Sequence, residues 1–264
     1  MRALTHSRSA RTWLGVYAAG VLAFLMLPSL IVIVISFSAD PGMRFPPHVL
    51  TLSWYRQFLS SPEWLAALAM SLEVACLASA IATVTGTLAS FGLRRLEGRV
   101  ATALRAVLLA PAIVPVVLIA AATFMLFARL HLENRFLGIV VAHAGLGLPL
   151  VLITMSAALE SYDFALDRAA RSLGAPALVS FFTVTLPQIK GALVASALFA
   201  FLTSFDEAVI ALFITAGSRA TLAQRMFESL RDDLDPVIAA IATLLITLTG
   251  ALLLLGGVLR RERP

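Results

Sequence analysis

The segment Leu166-Asp-Arg-Ala-Ala-Arg-Ser-Leu-Gly174, followed by Val184-Thr-Leu-Pro187, decides how this chain is read. It is polar and amphipathic, while its flanks are almost wholly hydrocarbon. Charge inside a bilayer is costly, and lipid-facing backbone cannot be irregular. The segment therefore belongs outside the membrane, between two spans, where another protein can reach it.

Working outward, the 264 residues are 60% hydrophobic and 13% charged, with a mean hydropathy of +0.94. A soluble domain carries about 25% charged residues, so the chain falls in the membrane class. Six runs approach the roughly 20 residues a span needs: Trp13–Ser36, Leu65–Leu93, Ala103–Phe127, Phe136–Leu159, Gln188–Phe205 and Val237–Leu259. A further apolar stretch, Ala208–Ala216, is too short to cross alone. The expected fold is an all-α membrane protein. Residues 1–60 form the first span and outer loop, and residues 61–264 form the core, with a polar loop at 160–187.

Thirteen Lys/Arg residues flank the spans on the side of both termini and the 160–187 loop, against seven on the other side. The positive-inside bias makes the first side cytoplasmic. It also accounts for the net charge of +5 without a nucleic-acid partner. The basic N-terminus before an apolar run could be a secretory signal with a weak cleavage site at Ser36-Phe-Ser-Ala39. A signal core is only about 7–15 residues long, so an uncleaved first helix fits better.

In the polar loop, Tyr162–Leu173 reads as a short helix with Leu166, Ala169, Ala170 and Leu173 on one stripe. Asp163, Asp167 and Arg171 follow at i,i+4 steps on another face. Gly174 stands where a left-handed residue ends a helix, Ala175-Pro176 restarts the chain, and Leu186-Pro187 marks entry to the fifth span. In the outer loop, Ser61-Pro62 is a helix start, and Trp54, Tyr55 and Trp64 suit an interfacial belt. Ala75, Ser79, Ala82, Gly86 and Ser90 recur at steps of three to four, which suits close helix packing against a second chain or within a gate. Cys76, the single cysteine, reads as a small buried packing residue.

Intramembrane ionisable groups mark function. Asp206 and Glu207, beside Phe205, form an electronegative spot suited to an organic cation; the bland alternative pairs Glu207 with a base or with headgroup water. Glu73, within the second span, could face the same pathway. His143 reads as a hydrogen-bonded packing residue, and Asp232-Asp-Leu-Asp235 as a solvated loop. Nucleotide hydrolysis has no P-loop, since the one lysine, Lys190, follows Ile189 where Gly-Lys-Ser/Thr is needed. The four histidines are scattered and form no metal-binding or hydrolytic pattern, so no catalytic or metal residue is expected.

These residues resemble the EAA loop of permease subunits from binding-protein-dependent ABC importers. Ala169, Ala170, Gly174, Val184, Leu186 and Pro187 stand at the expected offsets. Arg168 occupies the usual glutamate position, with Asp167 before it. Phe45-Pro-Pro, Leu52-Ser-Trp-Tyr, Ser204-Phe-Asp-Glu-Ala208 and Thr221-Leu222 leading to Arg231 resemble the polyamine (spermidine/putrescine) branch. The resemblance implies a type I importer permease in a bacterial inner membrane, with a coupling helix seated in a cytoplasmic ATPase. Asp167, Arg168, Ala169, Ala170, Arg171, Ser172, Leu173, Gly174, Ala175, Leu186 and Pro187 would make that coupling element. Its implied partners are two ATPase copies holding ATP and magnesium, a second homologous permease in a heterodimer, a periplasmic solute-binding protein and lipid. No cofactor is implied in this chain. A stand-alone secondary transporter is the rival reading, but such proteins commonly carry internal repeats and none is visible. An intramembrane enzyme would need a catalytic pair, and only Asp206 and Glu207 are adjacent.

Overall fold

Long apolar runs in a bilayer leave backbone groups no partner but one another, so they wind into helices. The computed structural model describes residues 8–132, 134–215, 219–232 and 234–261, with side chains from 12 to 251 within those stretches. Arg2, Ala216, Gly217, Asp233 and Arg263 lie outside the described residues, as do the side chains of Arg8, Arg11, Arg260 and Arg261. The helices run α1 (Arg8–Ile35), α2 (Ser53–Ser60), α3 (Pro62–Leu93), α4 (Gly98–Ile113), α5 (Val116–Leu130) and α6 (Phe136–Ser161). There follow α7 (Ala165–Ser172), α8 (Ala177–Ser180), a π-helical turn (Phe181–Thr185), α9 (Leu186–Phe205), α10 (Val209–Ile214), α11 (Leu222–Asp232) and α12 (Val237–Arg261).

Among the described residues, four helical stretches are long and apolar enough to cross a membrane: Thr12–Ile35, Pro62–Leu93, Phe136–Ser161 and Ala177–Phe205. In α12 the apolar stretch within that description is Val237–Ala251. The expected third span needs correction, because it is two helices, α4 and α5, meeting at 106°. Pro115 explains the break. A proline drives the residue before it out of the helical region, and Val114 is extended at φ −74°, ψ 133°. Pro115 then starts the new helix, its carbonyl accepting from Leu118 N–H at 2.9 Å.

The start of the fifth span is also corrected. Leu186-Pro187 does open α9, with the proline in its first turn, but the helical stretch long enough to span begins upstream and runs from Ala177 through the π turn to Phe205. Pro187 has no N–H and would crowd the carbonyl four residues back in a regular helix. The π turn just upstream absorbs this, with Leu186 N–H reaching back five residues to the Phe181 carbonyl.

The chain divides into two compact units, residues 1–62 with 228–264, and residues 63–227. This differs from the expected division into 1–60 and 61–264, since the C-terminal helix joins the N-terminal unit. In that unit α12 packs on α1 and α2, and the outer loop folds onto α2. Trp54 Nε1–H donates to the Ser38 carbonyl at 2.7 Å, and Ser36 Oγ and Tyr55 Oη share a 2.6 Å hydrogen bond. Ser38 and Leu50 form an antiparallel bridge. Trp54 and Tyr55 thus pin the loop. Asp235 caps α12 by accepting from Val237 N–H at 2.9 Å, so its carboxylate is not simply solvated loop, whereas Asp232, exposed at the end of α11, accepts from Arg231 Nε–H at 2.9 Å.

The other unit is built around α3, α6 and α9. The stripe Ala75, Ser79, Ala82, Gly86 and Ser90 is buried, and it is covered by helices of its own chain, in place of the expected gate or second chain. Ser79 Oγ–H donates to the Ala197 carbonyl of α9 at 2.6 Å. A Cβ on Gly86 would fall 2.7 Å from Val151 Cγ1 of α6, and one on Gly147 would meet the Ala200 and Ala82 methyls at 3.0 and 3.3 Å. Around this contact lie Val151, Met155, Leu159, Tyr162 and Ile189. Cys76, read as buried, is exposed, because it follows Ala75 by about 100° of helical rotation and leaves the packed face. Trp64, placed in the interfacial belt, is buried instead, with the Arg225 guanidinium 5.5 Å from its ring and Arg225 paired with Glu63.

The short apolar run forms α10, which packs on α5 through Ala120, Phe127, Ile210 and Ile214. Overpacking a filled core costs about 1–3 kcal/mol. Gly86→Val should therefore lower the melting temperature of the detergent-solubilised protein by several degrees, whereas Gly191→Ala, with nothing within 4 Å of its added Cβ, should not. Equal melting of the two variants would refute the close-contact assignment.

Candidate functional site

The polar loop folds as a finger whose turns are fixed by short-range chemistry. Asp163 Oδ1 accepts from Ala165 N–H at 2.8 Å, starting α7 two residues on. At the other end, Ala175 N–H bonds to the Ala170 carbonyl at 3.1 Å and Gly174 N–H to the Arg171 carbonyl at 3.0 Å. That pair of bonds is the Schellman closure. It requires a left-handed residue at Gly174, whose φ is +94°, so the Ala-Ala-x-x-x-Gly spacing is the geometry of one helix end. Ser172 Oγ–H returns to the Arg168 carbonyl at 2.9 Å.

The finger's faces differ from the expected ones. Asp167 was expected beside Arg171, but its Oδ1 accepts from the buried Ser180 hydroxyl at 2.5 Å, and no Asp167–Arg171 ion pair occurs among the described residues. The bond ties α7 to α8, so Asp167 braces the finger from within. Arg168, Ala169, Arg171 and Ser172 are exposed, Ala170 and Ala175 are half-buried, and Leu173 is 90% exposed. Leu166, Leu178 and Phe182 are also open. Leu186 is half-buried and Pro187 exposed on the long helix. An 8-residue helix that buries none of its side chains is held by its ends and displays the rest.

Its seat includes residues the sequence reading had not assigned to it. Arg94, which follows the second apolar run in the sequence, donates from Nη1–H to the Leu159 carbonyl near the end of α6 at 2.6 Å. Its guanidinium lies 3.9 Å over the Phe164 ring, immediately before α7. Phe164 meets Tyr162 edge-on at 4.7 Å, and Tyr162 Oη bonds to Thr185 Oγ1 of the π turn at 3.1 Å. These contacts join the ends of α3, α6 and α9 to the finger. The one sequence signal was an arginine ending an apolar span; Ser180 and Thr185 carried none. A cleft of about 720 Å³ opens between α3 and the finger.

The acidic residues fall at two places. Phe205, Asp206 and Glu207 are consecutive at the α9–α10 junction, and Phe205 stacks on Phe201 at 5.8 Å. Glu207 Oε1 accepts from Ile210 N–H at 3.0 Å, so this carboxylate serves the start of α10. Asp206 is exposed and closes α9 through its own N–H to the Leu202 carbonyl at 3.0 Å. Glu73 is exposed on α3, and no hydrogen bond or ion pair joins it to the other carboxylates among the described residues. His143 is buried, its Nδ1 2.9 Å from Ser204 Oγ and 3.1 Å from the Ser204 carbonyl oxygen. That contact anchors the turn two residues before Asp206. Buried Thr215 Oγ1–H donates to Gln224 Oε1 at 2.6 Å, and Leu222 N–H to Ser71 Oγ at 2.8 Å.

Residues 82–262 match the family described as binding-protein-dependent transport system inner membrane component. The putrescine transport system permease protein PotI of Escherichia coli strain K12 is 30% identical over 234 residues, covering 86% of this chain and 83% of its own. The spermidine/putrescine transport system permease protein PotC of Haemophilus influenzae is 27% identical over 243 residues, covering 92% and 94%. In fold, the chain is similar to a bacterial ABC transporter involved in importing the acidic polysaccharide alginate, with a TM-score of 0.69, 14% identity, and coverage of 99% and 100%.

A side chain at a left-handed position costs roughly 1–2 kcal/mol. Gly174→Ala should accordingly speed hydrogen exchange at the Gly174-position and Ala175 amides about tenfold, leaving α6 unchanged. Unaltered exchange there would remove the Schellman closure from the account.

Proposed function

Because the chain belongs to the family of binding-protein-dependent transport system inner membrane components and is a permease subunit of an ATP-driven importer, we propose that it passes a small organic cation of the polyamine type. A periplasmic binding protein delivers the substrate. Both termini and the finger face the cytoplasm, and the finger docks into an ATPase that holds the nucleotide and its magnesium. The chain itself catalyses no reaction. One finger per chain calls for a second, homologous permease to match two ATPases, and we assign the pair as a heterodimer.

The observation that carries this reading is the finger, closed at both ends by its own backbone and side chains while Leu173 stands 90% exposed. Such a helix keeps its shape when pushed. Its mounting on Arg94 and the π turn spreads the push to α3, α6 and α9. The polyamine assignment draws on the named relatives and on Asp206, an exposed residue at the end of α9. Glu73 and Phe205 complete the proposed pathway. Glu207 holds α10 in place there and supplies negative charge nearby.

Three experiments test the reading. A cysteine at Ser172 should cross-link to the ATPase in the assembled transporter, in at least one nucleotide state, and Gly174→Trp should abolish most uptake while the subunits still co-purify. No cross-link in any state would defeat the coupling role. In proteoliposomes supplied with binding protein and ATP, Asp206→Asn should reduce putrescine uptake about tenfold, the equivalent of ~1.4 kcal/mol in the barrier. Full-rate uptake by that variant would take Asp206 out of the pathway.

A further inference from the structure

The cleft between α3 and the finger has a composition that coupling to an ATPase does not account for. Four arginines line it, Arg94, Arg95, Arg168 and Arg171, against the single carboxylate of Asp167. Asp167 is engaged by the Ser180 hydroxyl. Arg94 is partly engaged, by the Leu159 carbonyl and the Phe164 ring. Arg95, Arg168 and Arg171 are exposed and make no ion pair among the described residues. Four guanidinium groups against one carboxylate leave the lining with an excess of positive charge, which suits a phosphate, since arginine binds one through paired N–H donors.

The other wall is hydrocarbon. Leu88 and Phe182 line the cleft and are 66% and 60% exposed, and half-buried Phe91 lines it too, edge-on to Phe181 at 5.9 Å. Leu88 precedes Arg94 by six residues, about 9 Å along α3. With α3 crossing the membrane, that step takes the wall from the headgroup level into the acyl region. A cleft of about 720 Å³ also falls within the usual range for small-molecule sites. Free phosphate would leave the apolar wall uncovered, and an acidic protein segment would have no use for it.

We propose that this cleft binds an anionic phospholipid of the cytoplasmic leaflet, its phosphate among the arginines and an acyl chain along Leu88 and Phe182. The proposal rests on the inward orientation of the finger given above. The cytoplasmic leaflet supplies anionic lipids, and basic pockets between spans at that surface take their headgroups. The site joins the end of a span to the finger, so the lipid bridges the two.

The test is native mass spectrometry on the whole transporter, titrated with phosphatidylglycerol, phosphatidylcholine or inorganic phosphate. The expected result is retention of phosphatidylglycerol several-fold over phosphatidylcholine, cut about tenfold by Arg95→Gln and by Leu88→Asn. Arg99→Gln, on α4 and outside the cleft lining, should retain the lipid as wild type does. Equal retention of both lipids, or of phosphatidylglycerol by wild type and Arg95→Gln, would overturn the proposal. So would complete displacement by millimolar inorganic phosphate, which would make the site one for a free anion. If Arg95→Gln fails to assemble, Leu88→Asn decides by the same criterion. A membrane-impermeant thiol reagent that labels Ser172→Cys from outside cells, in a Cys76→Ser background, would overturn the orientation itself. That outcome is separate from loss of lipid selectivity in a correctly oriented transporter.

Discussion

The approach of α3, α6 and α9 to glycine distance is the constraint on which the rest of their unit depends. Between helices in lipid there is little hydrophobic drive, because the acyl chains are as apolar as leucine, and association rests on close packing and a few interhelical hydrogen bonds. Gly86 against Val151, Gly147 against Ala200 and Ala82, and the Ser79 hydroxyl on the Ala197 carbonyl meet both conditions. These contacts fix the relative height of three long helices, and with it the height at which their ends meet the finger. Arg94 can reach the Leu159 carbonyl only if α3 and α6 end at matched levels.

The finger repeats the same logic with different chemistry. Outside the membrane an 8-residue helix is too short to be stable through its own hydrogen bonds. Asp163 at its start, the Schellman closure at its end and the Asp167–Ser180 bond across its base supply what length does not. The exposed leucines and arginines are then free of structural duty. Arg168 at the position where related loops usually carry glutamate is consistent with this division of labour, since the acidic side chain next to it is turned inward as a brace.

Much of this was legible in the sequence because it is local. Gly174 as a left-handed helix end follows from a glycine after an amphipathic run, and the small-residue stripe of α3 follows from its spacing. What escaped was non-local. The partner of Asp167 lies thirteen residues away across a turn, and nothing in the pattern around Ser180 singles it out. The stripe predicted close packing but not with whom; the partners turned out to be Val151 and Ala197 of the same chain. Hydropathy merged α4 and α5 into one span because an average over a window does not register what Pro115 does to Val114. Aromatic residues near span ends suggested anchoring, yet Trp64 is buried, because composition does not say which way an indole points.

The π turn at Phe181–Thr185 carries a further consequence, one of angular phase. An α-helix advances about 100° per residue, and a turn closed over five residues instead of four holds one residue more than the regular winding. The faces of α9 are thereby offset by about one such step from those an uninterrupted helix would present. Ser180, facing Asp167, and Ile189, facing the packed core, sit on opposite sides of that offset. The rod is thus keyed like a shaft with a set twist. Its two ends must be read in separate helical frames, and losing one residue within the turn would re-aim the finger relative to α9.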